Sequence, residues 1–291
     1  MKYLKIVVTF FCIFSVSSPG VSDPIFGSSK LLATAGVVQL EGAAGSGLTT
    51  WAVISGYGSN REIGANAHYT LAMTQDYSLN AVGARFGFFD RIELSLTRQY
   101  FDTGEAGAAL GLGEGFNFNQ DIIGLKIRMF GDAVYAQNSW LPQVAVGVQY
   151  KKADKTAIIN AIGGKDDDDF DYYFSATKVL LEHSLVLTGT TRLTRANQFG
   201  LLGFGGDKSS SHSVQFEGSI AYLLSKNIVL GVDLRTKPDN LGFAKEEDSW
   251  ATYAVWLPNK NFSVTAAYVD LGDIALHKNQ RGFYLSLQMG F

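Results

Sequence analysis

Over most of the chain, apolar side chains recur at every second position and polar or small ones fill the places between. At the end of the sequence Phe283, Leu285, Leu287, Met289 and Phe291 alternate with Tyr284, Ser286, Gln288 and Gly290. The same period runs through Phe262–Tyr268, Ile228–Arg235, Val214–Tyr222, Val144–Lys151, Ile123–Met129 and Ile92–Thr97. Successive side chains of a strand point to opposite faces, so this period predicts strands with one apolar and one polar face. A soluble sandwich would alternate in the same way, and segment length separates the two. These segments reach about 9–11 residues, the length of a tilted strand that crosses a bilayer, whereas sandwich strands average roughly 5–6.

The connections predict the same architecture. Short ones fall near Phe89-Asp90, Leu180 to His183, Leu224 to Asn227 and Pro258 to Lys260. Long ones run Asp102 to Gln120, Lys152 to Asp169, Arg195 to His212, Lys237 to Ser249 and Leu271 to Gln280. Short turns at one rim and long loops at the other are the habit of outer-membrane barrels. The four Trp, at positions 51, 140, 250 and 256, fall at strand ends, as an aromatic girdle requires: Trp51 and Trp250 toward the loops, Trp140 and Trp256 toward the turns. Counting back from Phe291 gives an all-β, antiparallel transmembrane barrel of 14 strands, the first near Thr34 to Leu40, with both termini periplasmic. The first two segments are rich in Ala and Gly, so the alternative is 12 strands with an N-terminal segment inside the lumen.

The beginning of the chain reads differently. Lys2 and Lys5 precede an apolar run from Ile6 to Val16, and small residues Ser17 to Ser22 follow around Pro19. A basic end, a short apolar core and a small-residue exit predict a secretory signal peptide over 1–22, leaving 23–291 as one barrel domain. The single cysteine, Cys12, lies in this leader, so the exported chain has no thiol for a disulfide or a Cys-ligated metal. Loss of Lys2 and Lys5 takes the formal charge from −3 to −5, which disfavours a nucleic-acid partner.

Several stretches, Lys30–Thr34, Gln39–Gly45, Gly64–Ala67, Arg192–Gly200, Arg235–Phe243 and Tyr268–Gly272, together resemble a proteobacterial family known only as domain of unknown function 3034. The resemblance covers essentially the whole exported chain. It implies a barrel and carries no reaction or ligand onto particular residues. The chain's last strand also resembles the C-terminal signature of outer-membrane barrels, in which Phe283, Leu285, Leu287, Met289 and Phe291 would address the protein to the barrel-assembly machinery.

Candidate chemistry is sparse. His183 sits in a turn, His212 and His277 at loop edges, and His68 on the polar face of an early strand, with no Ser and acid at strand spacing around any of them. The sequence therefore predicts no enzyme, no catalytic residue, no metal site and no cofactor. Asp166 to Asp169 reads as a solvated, self-repelling loop tip. The alternation turns Arg85, Lys126, Arg128, Lys151, Arg192 and Arg235 inward against Glu93, Asp171, Glu217 and Asp233, six basic side chains to four acidic. Such charges either filter solutes or brace the wall; an open lumen with this excess would favour anions. Leu110, Leu112, Phe116 and Phe118 in one loop, and Phe199, Leu201, Leu202 and Phe204 in another, have the character of an apolar approach to the lumen. The favoured reading is a porin-like channel or small-solute transporter in contact with outer-membrane lipid and lipopolysaccharide. A non-conducting structural or surface-interaction barrel is the alternative, and an outer-membrane enzyme is third.

Overall fold

The computed structural model describes residues 26–109 and 111–291. The expected signal peptide lies outside these residues. Twelve antiparallel strands close into one barrel. In chain order, two inner strands, β1 (Val37–Val38) and β2 (Ala44–Gly45), precede β3 (Ile63–Thr74), β4 (Ser78–Phe88), β5 (Ile92–Asp102), β6 (Asn117–Phe130), β7 (Gln143–Ala153) and β8 (Asp168–Leu180). The wall continues with β9 (Leu185–Thr194), β10 (Ser213–Leu223), β11 (Ile228–Arg235), β12 (Ser249–Asn259), β13 (Phe262–Asp270) and β14 (Arg281–Gly290). Each wall strand pairs with its neighbour in sequence, and β14 returns to β3, so no edge is left unpaired. Phe291 extends this seam: its N–H and C=O exchange bonds of 2.9 and 2.8 Å with Ala65.

The count corrects the 14-strand expectation to 12. The residues expected to supply the first strands instead run through the lumen, where only the β1–β2 pairing of two residues each is regular. The reason is in the side chains. Between Thr34 and Gly58 no apolar face is sustained at period two: Val38 and Leu40 alternate with Gln39 and Glu41, but Gly42 to Gly47 then offer only glycine, alanine and serine. Small residues at Gly42 to Gly47 make the segment thin enough for a 12-stranded interior. Trp51 moves with it: it is buried in the lumen and donates Nε1–H to Ser46 Oγ at 3.2 Å. The other three Trp are exposed on the outside or at the turn end. Two connections break the expected alternation of lengths. The β3–β4 turn at the loop end is only residues 75–77, and the β6–β7 connection at the turn end spans residues 131–142.

The outward face is a continuous apolar surface. Phe216, Ile220, Val232, Leu285 and Phe283 are between 42 and 68% exposed, far more apolar surface than a soluble monomer leaves in water. Among the described residues no helix is long and apolar enough to cross a membrane, so strands do the crossing. On the inward face, the register sets Gly147 opposite Tyr173 and Gly231 opposite Tyr253. The hydroxyl end of each tyrosine ring sits against its glycine: a methyl group at Gly147 or Gly231 would come within 2.3 or 2.4 Å of the ring. Only glycine permits that approach, and the ring fills the room that glycine leaves.

Leu230→Arg places a charge on the lipid face near mid-strand and is expected to cost about 2–4 kcal/mol, while Leu230→Val stays near the parent. Gly231→Ala should cost about 1–3 kcal/mol by displacing Tyr253. The heat-modifiable, folded fraction on a gel measures all three; equal fractions for Leu230→Arg and Leu230→Val would place Leu230 inside.

Candidate functional site

The lumen is filled by residues 34–57, and the wall's polar face supplies most of their hydrogen bonds. An irregular segment leaves its backbone groups unpaired by its own structure, and a buried unpaired group is costly. Here Glu93 accepts the N–H of Ala44 and Ser55 at 3.0 and 2.8 Å, Glu217 that of Thr50 at 2.7 Å, Asp233 that of Leu48 at 2.9 Å, and Thr177 that of Ala52 at 2.9 Å. In the other direction Arg85 donates to Val37 O at 2.9 Å, Tyr284 to Val38 O at 3.0 Å, Gln99 to Leu40 O at 2.9 Å, and Lys126 to the carbonyls of Ala44 and Val53 at 3.1 Å.

The inward charges fall into two buried groups. Toward the turn end Lys126 pairs with Glu93 at 3.0 Å, with Arg85 reaching Gln288. Toward the loop end, Glu41 of the inner segment is met by Lys151, by Arg235 at 2.7 Å and by Arg192 at 3.8 Å. Arg192 also pairs with Glu217 at 2.6 Å and Asp171 at 3.4 Å, and Lys151 with Asp171 at 2.6 Å. Arg128 lies apart, at the turn rim between Asp90 and Asp132. Burial there would raise the Asp132 carboxyl, but the backbone N–H groups of Tyr135 and Val134 and the Arg128 cation hold it below the usual range. Glu41 in the lumen, and Asp90 and Asp132 at the rim, where Lys30 also meets Asp90 at 2.7 Å, thus balance the cations, and the basic excess expected of an open lumen is gone.

Above the Glu41 group the lumen turns apolar. The β9–β10 loop folds inward, carrying Gln198 and Phe199 at φ of 47° and 61°. Successive non-glycine residues in the left-handed region are strained and persist where surroundings fix them. Gln198 N–H is held by Glu246 Oε1 at 2.7 Å and its side-chain amide by Asp273 O at 2.9 Å. The Phe199 ring lies against the Arg235 guanidinium at 4.6 Å and Lys237 Nζ at 5.5 Å, and its carbonyl accepts from Lys151 at 3.3 Å. Over this ring opens a cavity of about 290 Å³, floored by Leu40 and Phe199 and walled by Leu79, Phe101, Phe118 and Leu271.

Of the apolar loop residues singled out by sequence, Leu112, Phe118, Phe199, Leu201 and Leu202 line this cavity. Phe116 packs edge-on against Phe118 at 5.5 Å; Phe204 is fully buried behind them, and Leu110 lies outside the described residues. Asp166 to Asp169 is no self-repelling tip: Asp166 and Asp169 clasp Arg195, Asp169 also meets His212 at 3.2 Å, and Asp168 accepts from Tyr150 at 2.6 Å. The run pins the β7–β8 loop to the β9–β10 loop. The imidazoles stay apart: His68 is buried inside β3, His183 is in a turn, and His277 Nδ1 meets Tyr77 OH at 3.1 Å. Among the described residues no three His, Cys, Asp or Glu side chains gather to hold a metal.

Comparison with solved structures gives the same architecture. A KdgM porin superposes with a TM-score of 0.52 at 10% identity, covering 78% of this chain and 99% of that one. A NanC porin gives 0.50 at 9% identity, covering 78% and 98%. KdgM has also been solved in complex with disordered oligogalacturonate. No curated protein matches the chain by sequence. The family described as "Protein of unknown function (DUF3034)" matches residues 34–288. The fold is that of outer-membrane β-barrels, and a closed barrel with an apolar outer band resides in the bacterial outer membrane.

Glu41→Gln leaves three cations around a neutral amide and is expected to cost about 3–5 kcal/mol, seen as a lower temperature for loss of the heat-resistant folded band. The double variant Glu41→Gln/Lys151→Met should recover part of that loss. A single variant as stable as the parent would remove Glu41 from the centre of the lumen.

Proposed function

The chain belongs to the DUF3034 family, and we propose that it is a plugged small-solute transporter of the outer membrane, not an open diffusion pore and not an enzyme. The observation that carries this reading is the inner segment itself. Residues 34–57 block the lumen, yet they are joined to the wall chiefly by hydrogen bonds and ion pairs, which water can replace when the segment shifts. A barrel that only braced a membrane would have no need of a cavity on one side of such a plug.

The inward charged residues other than Arg128, which is held at the turn rim, on this reading seat the plug directly or through one another and do not sort ions. An oligogalacturonate of the kind found with KdgM would find the cations of this wall already engaged, five of the six by carboxylates and Arg85 by Val37 O and Gln288. The long-loop end faces the cell exterior, among lipopolysaccharide, and the end with Phe291 faces the periplasm, where long loops and short turns place them in this class.

In planar bilayers the intact chain should give no steady conductance, a chain lacking residues 34–57 should give sustained open steps, and Glu41→Gln should open more often than the parent. A deletion as silent as the intact protein would favour the non-conducting structural barrel, and a large steady current through the intact chain would overturn the plug.

The assembly role of the last strand is a separate proposal. Phe283, Leu285, Leu287, Met289 and Phe291 all face outward, the side that docking to the barrel-assembly machinery requires. Deleting Phe291 is expected to lower the membrane-inserted, heat-modifiable protein severalfold in cells; unchanged levels would sink the idea.

A further inference from the structure

The transporter reading leaves its solute open, and the cavity over Phe199 narrows the choice. Its lining offers almost no polar partner. Thr74 donates its hydroxyl to Gln280 Oε1 at 2.8 Å, Thr103 to Phe116 O at 2.8 Å, and Gln198 its amide to Asp273 O at 2.9 Å. Tyr77 likewise donates to Ile274 O at 3.1 Å, so the donors that border the cavity, Ser78 apart, are engaged elsewhere. The charges immediately beneath are screened as well: Phe199 covers Arg235 and Lys237, and these cations are held by Glu41 at 2.7 Å and Glu246 at 3.1 Å. A carboxylate or phosphate in the cavity would lose its water and gain no cation, a cost that binding does not recover.

Size sets a second limit. An apolar cavity of about 150 Å³ stays dry and takes up benzene. This one, at about 290 Å³, is close to twice as large and suits roughly 10–15 non-hydrogen atoms by the same comparison. Position sets a third. Ala157 and Ala161, on the short helix Thr156–Ala161 of the β7–β8 loop, line the cavity and are exposed, while Leu112, Phe243 and Ala275 beside them are half-buried. The mouth thus opens among the long loops and faces away from the outward band. Its floor is Leu40, directly next to Glu41 of the plug.

We infer that this cavity is a binding site for a small uncharged hydrocarbon-like solute, such as an alkylbenzene or a fused bicyclic aromatic, taken from the loop side. The inference rests on the transporter reading only for its purpose; binding at the site stands or falls separately.

The test uses the full chain in lipid nanodiscs and radiolabelled naphthalene, measured by equilibrium dialysis against empty nanodiscs of the same lipid. Saturable binding of one naphthalene per barrel, not displaced by excess glucose, is expected. Ala72→Phe fills the cavity from the β3 wall, and Ala161→Trp obstructs its mouth; each should weaken binding at least tenfold while the barrel keeps its heat-modifiable form. Two independent positions guard against a variant that fails to fold. Uptake no greater than that of empty nanodiscs, or saturable binding that both folded variants retain, would overturn the site. Naphthalene binding together with a silent plug deletion would uphold the site and reject transport.

Discussion

A buried carboxylate with three cations around it governs the interior of this barrel. Glu41 sits on a segment with almost no regular structure, and Lys151, Arg192 and Arg235 come from three different wall strands. None of the four side chains can be hydrated where it lies, so each depends on the others for its charge to be tolerated. The segment must thread the lumen with Glu41 at this height, and the wall must close with those three strands in this register. A one-residue slip of any of them would turn its cation toward lipid.

From that constraint the lumen acquires three layers. At the turn end Val37 and Trp51 pack against Val186, Val229, Val255 and Leu257. The middle is a polar sleeve in which wall side chains replace the hydrogen bonds that the inner segment cannot make for itself. At the loop end Leu40 and Phe199 cap the charges and begin the apolar cavity. The order matters physically. An aromatic ring over a guanidinium gains a cation–π contact on one face and presents hydrocarbon on the other, so one residue separates a salt-bridge network from an apolar chamber.

The loops hold this cap through contacts among themselves. Arg195 is clasped by Asp166 and Asp169, Lys208 by Asp239 at 2.9 Å, and Lys237 by Glu246 at 3.1 Å. The first two ties join the β7–β8, β9–β10 and β11–β12 loops around the mouth, and the third braces the β11–β12 loop itself. The exposed pairs among them contribute little stability individually, but together they fix which loop lies against which. That arrangement carries Gln198 and Phe199 into a backbone conformation they would not adopt alone.

The strands and their facing were legible in the sequence because period-two alternation is a local property: Leu230 and Gly231 face opposite ways whatever the rest of the chain does. The long loops, and the apolar character of Phe199, Leu201 and Leu202 among them, could be read for the same reason. The inner segment left weaker traces. The stretch from Thr34 to Gly58 lacks a lipid face, and six inward cations against four acids left two negative charges to be found. Which acids supply them is a matter of distance in space: Glu41 and Arg235 are 194 positions apart in the chain, and no local pattern links them. Likewise Asp166 to Asp169 resembles a repelling tip until Arg195 is folded against it. Strand facing follows from covalent geometry and was fixed by sequence alone; the number of strands, the plug and the cavity depended on how long-range charges and loop side chains met, and only the closed barrel decided that.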